Sequence, residues 1–245
     1  TLSTAPPPSS PPAPAGGIGR REPHLRGRQI VGGDTCSLLS SDDIDQFCLR
    51  LSGAVMPARE FFDARTTRRP MQTVAARIAW RVAKFGFALV PLHVPNHWTL
   101  GVVRSNATYV LDSAPAPANR ALLRNLLRRL GLNCVRFLPG PLLQPAGSTE
   151  CGLHVIRSIF IAVAAGVNTL ISDASLPKPP TQSLNSWRVA LTAAAGEAGF
   201  TADARFMREL LDQPLALPSP PPDAPPLGGG NPGCARLRSG TGRTL

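Results

Sequence analysis

The sequence predicts an α+β domain, in which a small mixed sheet packs against a central helix that carries Cys151. Three observations support this fold class. Apolar segments typical of strands follow one another at residues 87–94, 97–104 and 108–112. Amphipathic segments with helical spacing flank them at residues 70–84 and 119–130. A segment that is apolar on nearly all sides begins at Cys151, as expected for a helix in the middle of a core.

Prolines divide the 245-residue chain into one core and two linkers. Of the 27 prolines, 15 fall in residues 1–28 and 213–245. Residues 1–33 and 213–245 are therefore predicted to be disordered linkers, and residues 34–212 to form one domain. The chain does not begin with Met and shows no signal-peptide pattern, so we expect a piece of a longer protein. The longest apolar run is far shorter than the ~20 residues that span a bilayer, so no membrane segment is predicted.

Charge and cysteines limit the classes of partner and compartment. The net charge is +11, and Lys84 and Lys178 are the only lysines. A GC-rich coding sequence would explain the arginines, and so would attraction to nucleic acid or to an acidic protein. The five cysteines (Cys36, Cys48, Cys134, Cys151 and Cys234) form no close pairs and have no zinc spacing. We therefore expect no disulfide framework, no metal and no cofactor, and an intracellular location in the cytoplasm or nucleus.

The first two predicted helices precede the strands. Residues 37–53 are predicted to be helical, with Ser41 as the N-cap, Asp42 and Asp43 in the first turn, and Gly53 at the end. Residues 70–84 are predicted as the second helix. Its inward side would consist of Met71, Val74, Ala75, Ile78 and Val82.

The strand segments 97–104 and 108–112 are predicted to form a hairpin around Ser105-Asn106. If these two residues are the loop, Thr99 lies opposite Asp112, and His97 is the diagonal neighbour of Asp112 on the same face. Diagonal neighbours lie about 7–8 Å apart, which long side chains can bridge. The simplest fold of this segment therefore brings a histidine and an aspartate together.

The remaining elements follow in the second half of the chain. Residues 119–130 are predicted to be a helix that Asn119 caps and Gly131 ends, with the arginines outside and the leucines inside. The inward leucines would be Leu122, Leu123, Leu126, Leu127 and Leu130. Its outer face would be either a solvated surface or a dedicated nucleic-acid or partner surface. A strand at 134–138, a helix from 150 or 151, and helices at 187–197 and 203–212 complete the prediction.

Four residues form a candidate catalytic set. Cys151 would lie at a helix N-terminus, where the helix dipole favours the thiolate. His97 could act as its general base and Asp112 could orient the histidine ring. Gln144 stands upstream, where its amide could donate to an oxyanion. Taken alone, Cys151 could be an ordinary buried cysteine.

These residues also resemble a known family. The segments His97-Trp98-Thr99-Leu100, Tyr109-Val110-Leu111-Asp112-Ser113, Gln144 and Cys151-Gly152 are similar to the ubiquitin-like-protein-specific (SUMO-type) cysteine proteases. The resemblance implies a papain-like clan fold, a triad of His97, Asp112 and Cys151, and Gln144 as the oxyanion donor. It also implies that Trp98 shapes the channel for a Gly-Gly tail.

Two positions depart from the pattern of the cellular SUMO-type enzymes. Gln144 precedes Cys151 by seven positions, a spacing that resembles the adenovirus-type proteases, and Glu150 stands where the cellular enzymes have Asp. The resemblance implies peptide or isopeptide hydrolysis after Gly-Gly. The substrate would be a ubiquitin-like modifier tail or a polyprotein of mobile-element or viral type.

Two Gly-Gly segments, at residues 30–34 and 227–231, are either candidate sites of self-cleavage or ordinary turn and flexibility signals of the linkers. The alternative function is a catalytically inactive, protease-like module that binds nucleic acid through its arginines.

Overall fold

A computed structural model describes residues 38–61, 71–176, 183–197, 202–213 and 215. Seven helices and four strands lie wholly within these residues, and residues 58–61 are also helical. The helices are α1 (Ser41–Cys48), α2 (Met71–Phe85), α3 (Pro117–Arg129), α4 (Cys151–Ala164), α5 (Val167–Ser175), α6 (Asn185–Gly196) and α7 (Ala204–Asp212). The strands are β1 (Phe87–Val94), β2 (His97–Arg104), β3 (Thr108–Leu111) and β4 (Val135–Leu138).

The four strands form one mixed sheet in the order β1-β2-β3-β4. The β1–β2 and β2–β3 pairs are antiparallel, whereas β4 pairs with β3 in parallel after the crossover through α3. The register pairs Leu100 with Leu111 and Val103 with Thr108, and the Arg104 N–H donates to the Ala107 carbonyl at 2.9 Å. Ser105-Asn106 is therefore the two-residue loop that the sequence predicted.

The sheet separates two apolar cores. On one face, Leu89, Trp98, Leu100 and Leu111 pack with α1, α4 and the helices that follow α4. On the other face, alternate residues of β1 and β3 pack against α2 and α3. This alternation follows from the two-residue period of a strand. The predicted α+β architecture, with a mixed sheet against the helix that begins at Cys151, is confirmed.

Helix α4 lies at the centre of the first core. Eleven of its 14 residues are buried, which explains why its sequence is apolar on nearly every side. Gly152, on its first turn, faces Leu39, and a Cβ atom at Gly152 would lie 2.8 Å from the Leu39 Cβ. Glycine at this position therefore allows the chain before α1 to pack directly on the start of α4.

Several predicted helix ends were wrong. The N-cap of α1 is Ser40 rather than Ser41, because Asp43 forms a capping box with Ser40, and the helix ends at Cys48 rather than near Gly53. Helix α3 begins at Pro117 after Ala116, so Asn119 lies inside its first turn and is not the cap.

Two other expectations about the helices need correction. Leu122 was expected to be buried but is 48% exposed, because it lies outside the stripe formed by the other leucines of α3. The predicted helix from residue 151 is followed by a separate helix, α5, which the sequence analysis did not identify. Gly166 separates the two helices with a φ of 93°.

The predicted disordered linkers lie almost wholly outside the described residues, so the domain boundaries at 34 and 212 stay predictions. Within the described part of the chain, none of the helices combines the length and the apolar character that a bilayer span requires.

Candidate active site

Cys151 is the first residue of α4, and its side chain is almost completely buried. The first N–H groups of a helix have no intrahelical acceptor, and the helix dipole gives this end a partial positive charge. Both features favour a negative charge on the sulfur or on an oxygen beside it. The described cysteines Cys48, Cys134 and Cys151 are all free.

His97 and Asp112 meet at one end of the sheet. His97 opens β2, and Asp112 follows the last residue of β3 on the neighbouring strand. The His97 Nε2 and the Asp112 Oδ1 are 2.7 Å apart, and Asp112 is completely buried. The same Oδ1 accepts the N–H of Ala114 at 3.0 Å, which fixes the carboxylate against the backbone. The diagonal neighbours of the predicted hairpin are therefore in contact.

The side chain of Cys151 also interacts with the ring of His97 and acts to raise its pKa. Because Nε2 is engaged with Asp112, the nitrogen available for Cys151 is Nδ1. Asp112 thus contacts one nitrogen of the imidazole, and Cys151 interacts with the same ring. The structure brings together the three residues that the sequence analysis selected as a triad.

The pKa of His97 is raised from its ordinary value of 6.5 to about 9. Burial acts to lower this pKa, but the hydrogen bonds with Asp112 and then with Cys151, and the charges of both groups, raise it by more. An imidazole with this pKa is protonated at neutral pH. His97 can therefore supply a proton to a group that binds beside it.

Gln144 lies close to this set but is held by its own loop. Its Nε2 donates to the Ser148 carbonyl at 2.7 Å, and its Oε1 accepts the Ser113 hydroxyl at 3.2 Å. Its backbone N–H donates to the Ser113 carbonyl at 2.9 Å. These bonds tie the loop before Cys151 to the chain that follows Asp112. The structure thus fixes Gln144 in the loop between two of the three triad candidates.

The side chain of Trp98 is buried and does not line an open groove. Its indole N–H donates to the Leu39 carbonyl at 2.9 Å, and its ring lies 4.5 Å from that of His93 across the β1–β2 pair. The ring also lines a small cavity together with Cys151. Its expected role in shaping a substrate channel stays a prediction.

Glu150 makes structural contacts beside the site that its sequence pattern does not indicate. Its carboxylate Oε1 accepts the Ser183 hydroxyl at 2.7 Å and the Leu184 N–H at 3.0 Å, and the side chain is buried. The residue next to Cys151 is therefore joined to the segment that leads into α6. No sequence signal identifies this contact, because its partners lie more than 30 positions away.

His154 is a second buried histidine near Cys151, one turn further along α4. It lines the same small cavity as Cys151, Ser113, Trp98 and Ser158. Burial lowers its pKa to about 3, and the charges of Arg157 and His97 act in the same direction. His154 is thus neutral, so it does not compete with His97 for a proton. In the described residues, no group of three or more His, Cys, Asp or Glu side chains is placed to hold a metal ion.

Several solved structures resemble this chain at low sequence identity. No family model matches the chain, and no curated protein matches it. The structure of the Xanthomonas campestris effector protein XopD bound to ubiquitin is similar over 72% of this chain and 98% of that one, at 18% identity and a TM-score of 0.47. A structure of a Xanthomonas XopD mutant is similar over 64% of this chain and 98% of that one, at 19% identity and a TM-score of 0.44. A crystal structure of a de-sumoylating protease shares 11% identity over 74% of this chain and 71% of that one, with a TM-score of 0.27.

Proposed function

We propose that this protein is a cysteine protease of the papain-like clan, similar to the SUMO-type enzymes. The observation that supports this function best is the 2.7 Å contact of His97 with Asp112, together with the interaction of the same ring with Cys151 at the N-terminus of α4. Nucleophile, base and orienting carboxylate in this order are the parts that nucleophilic catalysis requires.

In the proposed reaction, the Cys151 thiolate attacks the carbonyl carbon of a peptide or isopeptide bond. The carbonyl oxygen becomes an oxyanion, which the backbone N–H of Cys151 and the side-chain amide of Gln144 stabilise. The Gln144 Nε2 carries two protons, so its bond to the Ser148 carbonyl leaves one for the oxyanion. Protonated His97 gives its proton to the leaving nitrogen, the C–N bond breaks, and a thioester to Cys151 remains.

Water then completes the cycle. Neutral His97 takes a proton from a water molecule, whose oxygen attacks the thioester carbonyl, and the C–S bond breaks. The products are a carboxylic acid and the restored thiolate–imidazolium pair. Asp112 keeps the His97 ring oriented throughout, because its Oδ1 is fixed by both the ring and the Ala114 N–H.

The proposed substrate ends in Gly-Gly, as the resemblance to the SUMO-type proteases implies. Cys151 and His97 are only 1% and 6% exposed, so a substrate backbone must approach closely and without bulky side chains. Trp98 lies beside Cys151 and would contact this narrow segment. Two substrate classes fit this chemistry: the tail of a ubiquitin-like modifier, or a polyprotein linker of mobile-element or viral type.

The direct test is reaction of the full chain with ubiquitin and SUMO probes that carry an electrophile at the C-terminus. We expect a covalent adduct on Cys151, which Cys151→Ser abolishes while the circular dichroism spectrum is unchanged. Cys134→Ser is the matched control, because Cys134 is an exposed cysteine that lies outside the site. This variant should react like the parent chain.

The probes also separate the two functions. An adduct on Cys134 with Cys151 unmodified, or hydrolysis of a Gly-Gly peptide that survives Cys151→Ser, would refute the proposed nucleophile. If neither probe nor a Gly-Gly peptide reacts while the chain binds nucleic acid in a salt-dependent way, the alternative of an inactive binding module is favoured.

A further inference from the structure

Helix α3 carries a row of arginines on its outer side. Arg120, Arg124 and Arg128 stand at successive i, i+4 positions, and we call these three residues the arginine stripe. Arg124 and Arg128 are exposed and Arg120 is half-buried. At a rise of 1.5 Å per residue, the stripe extends over about 12 Å of helix. Arg129, also exposed, adds a fourth charge beside it.

The stripe has no acidic counterpart within the described chain. Helix α3 contains no Asp or Glu. No residue of the stripe takes part in the ion pairs found among the described residues. The guanidinium groups of Arg120 and Arg124 instead lie 5.9 and 5.4 Å from the centre of the Phe137 ring. The aromatic ring therefore partly orients two of the three cations.

The stability of helix α3 explains the position of only some of these arginines. Arg128 and Arg129 lie in the last turn of α3, where the helix dipole favours cations. Arg120 lies near the N-terminus, where the dipole disfavours a cation, and like charges at i, i+4 repel each other. Arg120 and Arg124 thus destabilise an isolated helix, and their placement is explained if a polyanion neutralises them.

We propose that the arginine stripe binds the phosphate backbone of a nucleic acid. The planar guanidinium group matches phosphate oxygens in two parallel hydrogen bonds, and this chain uses arginine almost exclusively as its cation. Helix α3 packs on the face of the sheet opposite to α4. A nucleic acid on the stripe would therefore not cover the side of the sheet that carries Cys151, and the inference does not depend on the proposed protease function.

The experiment measures binding of the full chain to a mixed-sequence 20-nucleotide RNA and to a 20-base-pair DNA by fluorescence anisotropy from 50 to 300 mM salt. The test variant is Arg120→Gln, Arg124→Gln, Arg128→Gln. One control variant, Arg50→Gln, Arg205→Gln, Arg208→Gln, removes the same charge from exposed positions on α7 and just beyond α1. A second control, Arg21→Gln, Arg26→Gln, Arg28→Gln, removes it from a segment outside the described residues.

We expect the stripe variant to bind about tenfold or more weakly than the parent chain. The slope of log K against log salt should become less steep by about two to three, because each lost phosphate contact reduces this slope by about 0.7–0.9. Each control should keep the slope. A third variant keeps the charge of the stripe by the substitutions Arg120→Lys, Arg124→Lys and Arg128→Lys. It should retain most of the slope, which would show that the loss in the glutamine variant comes from the missing charge and not from a folding defect. Absence of binding, an equal loss in a control variant, or equal competition by polyglutamate would overturn the proposal.

Discussion

At the scale of single residues, the two ring nitrogens of His97 have separate tasks. Nε2 contacts Asp112, which leaves Nδ1 as the nitrogen available for Cys151. This arrangement raises the pKa of His97 to about 9 despite its burial. The protonated ring can therefore supply a proton at neutral pH, as release of the leaving nitrogen in the proposed reaction requires.

The first prediction concerns pH. Hydrolysis of a Gly-Gly peptide should fall as pH rises through about 9, because neutral His97 cannot protonate the leaving nitrogen. In Asp112→Asn, this alkaline limb should move to lower pH, because the variant removes the carboxylate that raises the pKa. A pH profile of kcat/KM for both proteins checks this. An alkaline limb that stays in place in Asp112→Asn would contradict the role of Asp112.

Stability should follow the same titration. The pKa of His97 in the folded state lies above its ordinary value of 6.5. Protonation of His97 therefore adds to the free energy of unfolding fully below about pH 6.5, and this addition is lost as pH rises through about 9. Urea unfolding at pH 6 and pH 9.5 measures this loss. In His97→Gln, the difference in the free energy of unfolding between pH 6 and pH 9.5 should become smaller, because the titration of His97 no longer contributes to it.

The second prediction concerns Gln144. Gln144→Ala should lower turnover by about 10²–10³-fold, which is the usual effect of removing one oxyanion donor. Alkylation of Cys151 by iodoacetamide should change little, because this reaction forms no oxyanion. Gln144→Glu is the matched control, because it keeps an acceptor for the Ser113 hydroxyl but loses the donor. Near-normal turnover in either variant would mean that another group binds the oxyanion.

At the scale of elements, the start of α4 depends on a helix that follows much later in the chain. Glu150 joins the first turn of α4 to Ser183 and Leu184, and an Arg188 N–H donates to the Thr149 carbonyl at 3.5 Å. Trp187 of α6 packs on Phe160 of α4, with ring centres 5.7 Å apart. Helix α6 therefore holds both the middle of α4 and the backbone next to Cys151.

The third prediction is that Glu150 positions Cys151. Glu150→Ala should lower turnover by about tenfold or more, because small displacements of a nucleophile reduce the rate strongly. Glu150→Ala should also slow alkylation of Cys151. The alkylation is measured at a temperature where the variant is fully folded, so that a general loss of stability does not change its rate. Ser183→Ala removes one of the two bonds and should have a smaller effect. Glu150→Gln, which keeps an acceptor oxygen, should restore most of the activity. Equal activity of Glu150→Ala and the parent chain would refute this role.

Local pattern was sufficient to predict the strands but not the helix ends. Strands β1 and β2 have the predicted bounds because nearly every residue in them is buried, and a buried strand has an almost continuous apolar sequence. The cap of α1 was placed one residue late, since Ser40 and Ser41 are equivalent in sequence. Only the extended backbone of Ser40 and its bonds with Asp43 distinguish the two.

At the scale of the whole molecule, the sheet divides the protein into a side with the candidate active site and a side with the arginine stripe. The contact between His97 and Asp112 could be predicted because a two-residue loop determines the register of a hairpin. The contact of Glu150 with Ser183 and the burial of Trp98 against Leu39 could not, because both join segments distant in sequence. Their geometry depends on how α1 and α6 dock on α4.

The last prediction is that the full chain cleaves itself. Cys151 and His97 are almost closed to solvent, so the residues that enter the site must be narrow, and glycine pairs satisfy this requirement. The sequence has such pairs in Ile30-Val31-Gly32-Gly33 and Leu227-Gly228-Gly229-Gly230, outside the described residues on either side of the domain. We expect products that begin at Asp34 or end at Gly230, seen as time-dependent changes in intact mass. Cys151→Ser should stay full-length, and Gly33→Val should block only the first product. A chain that stays intact while it hydrolyses a Gly-Gly peptide would refute self-cleavage and leave the proposed chemistry standing.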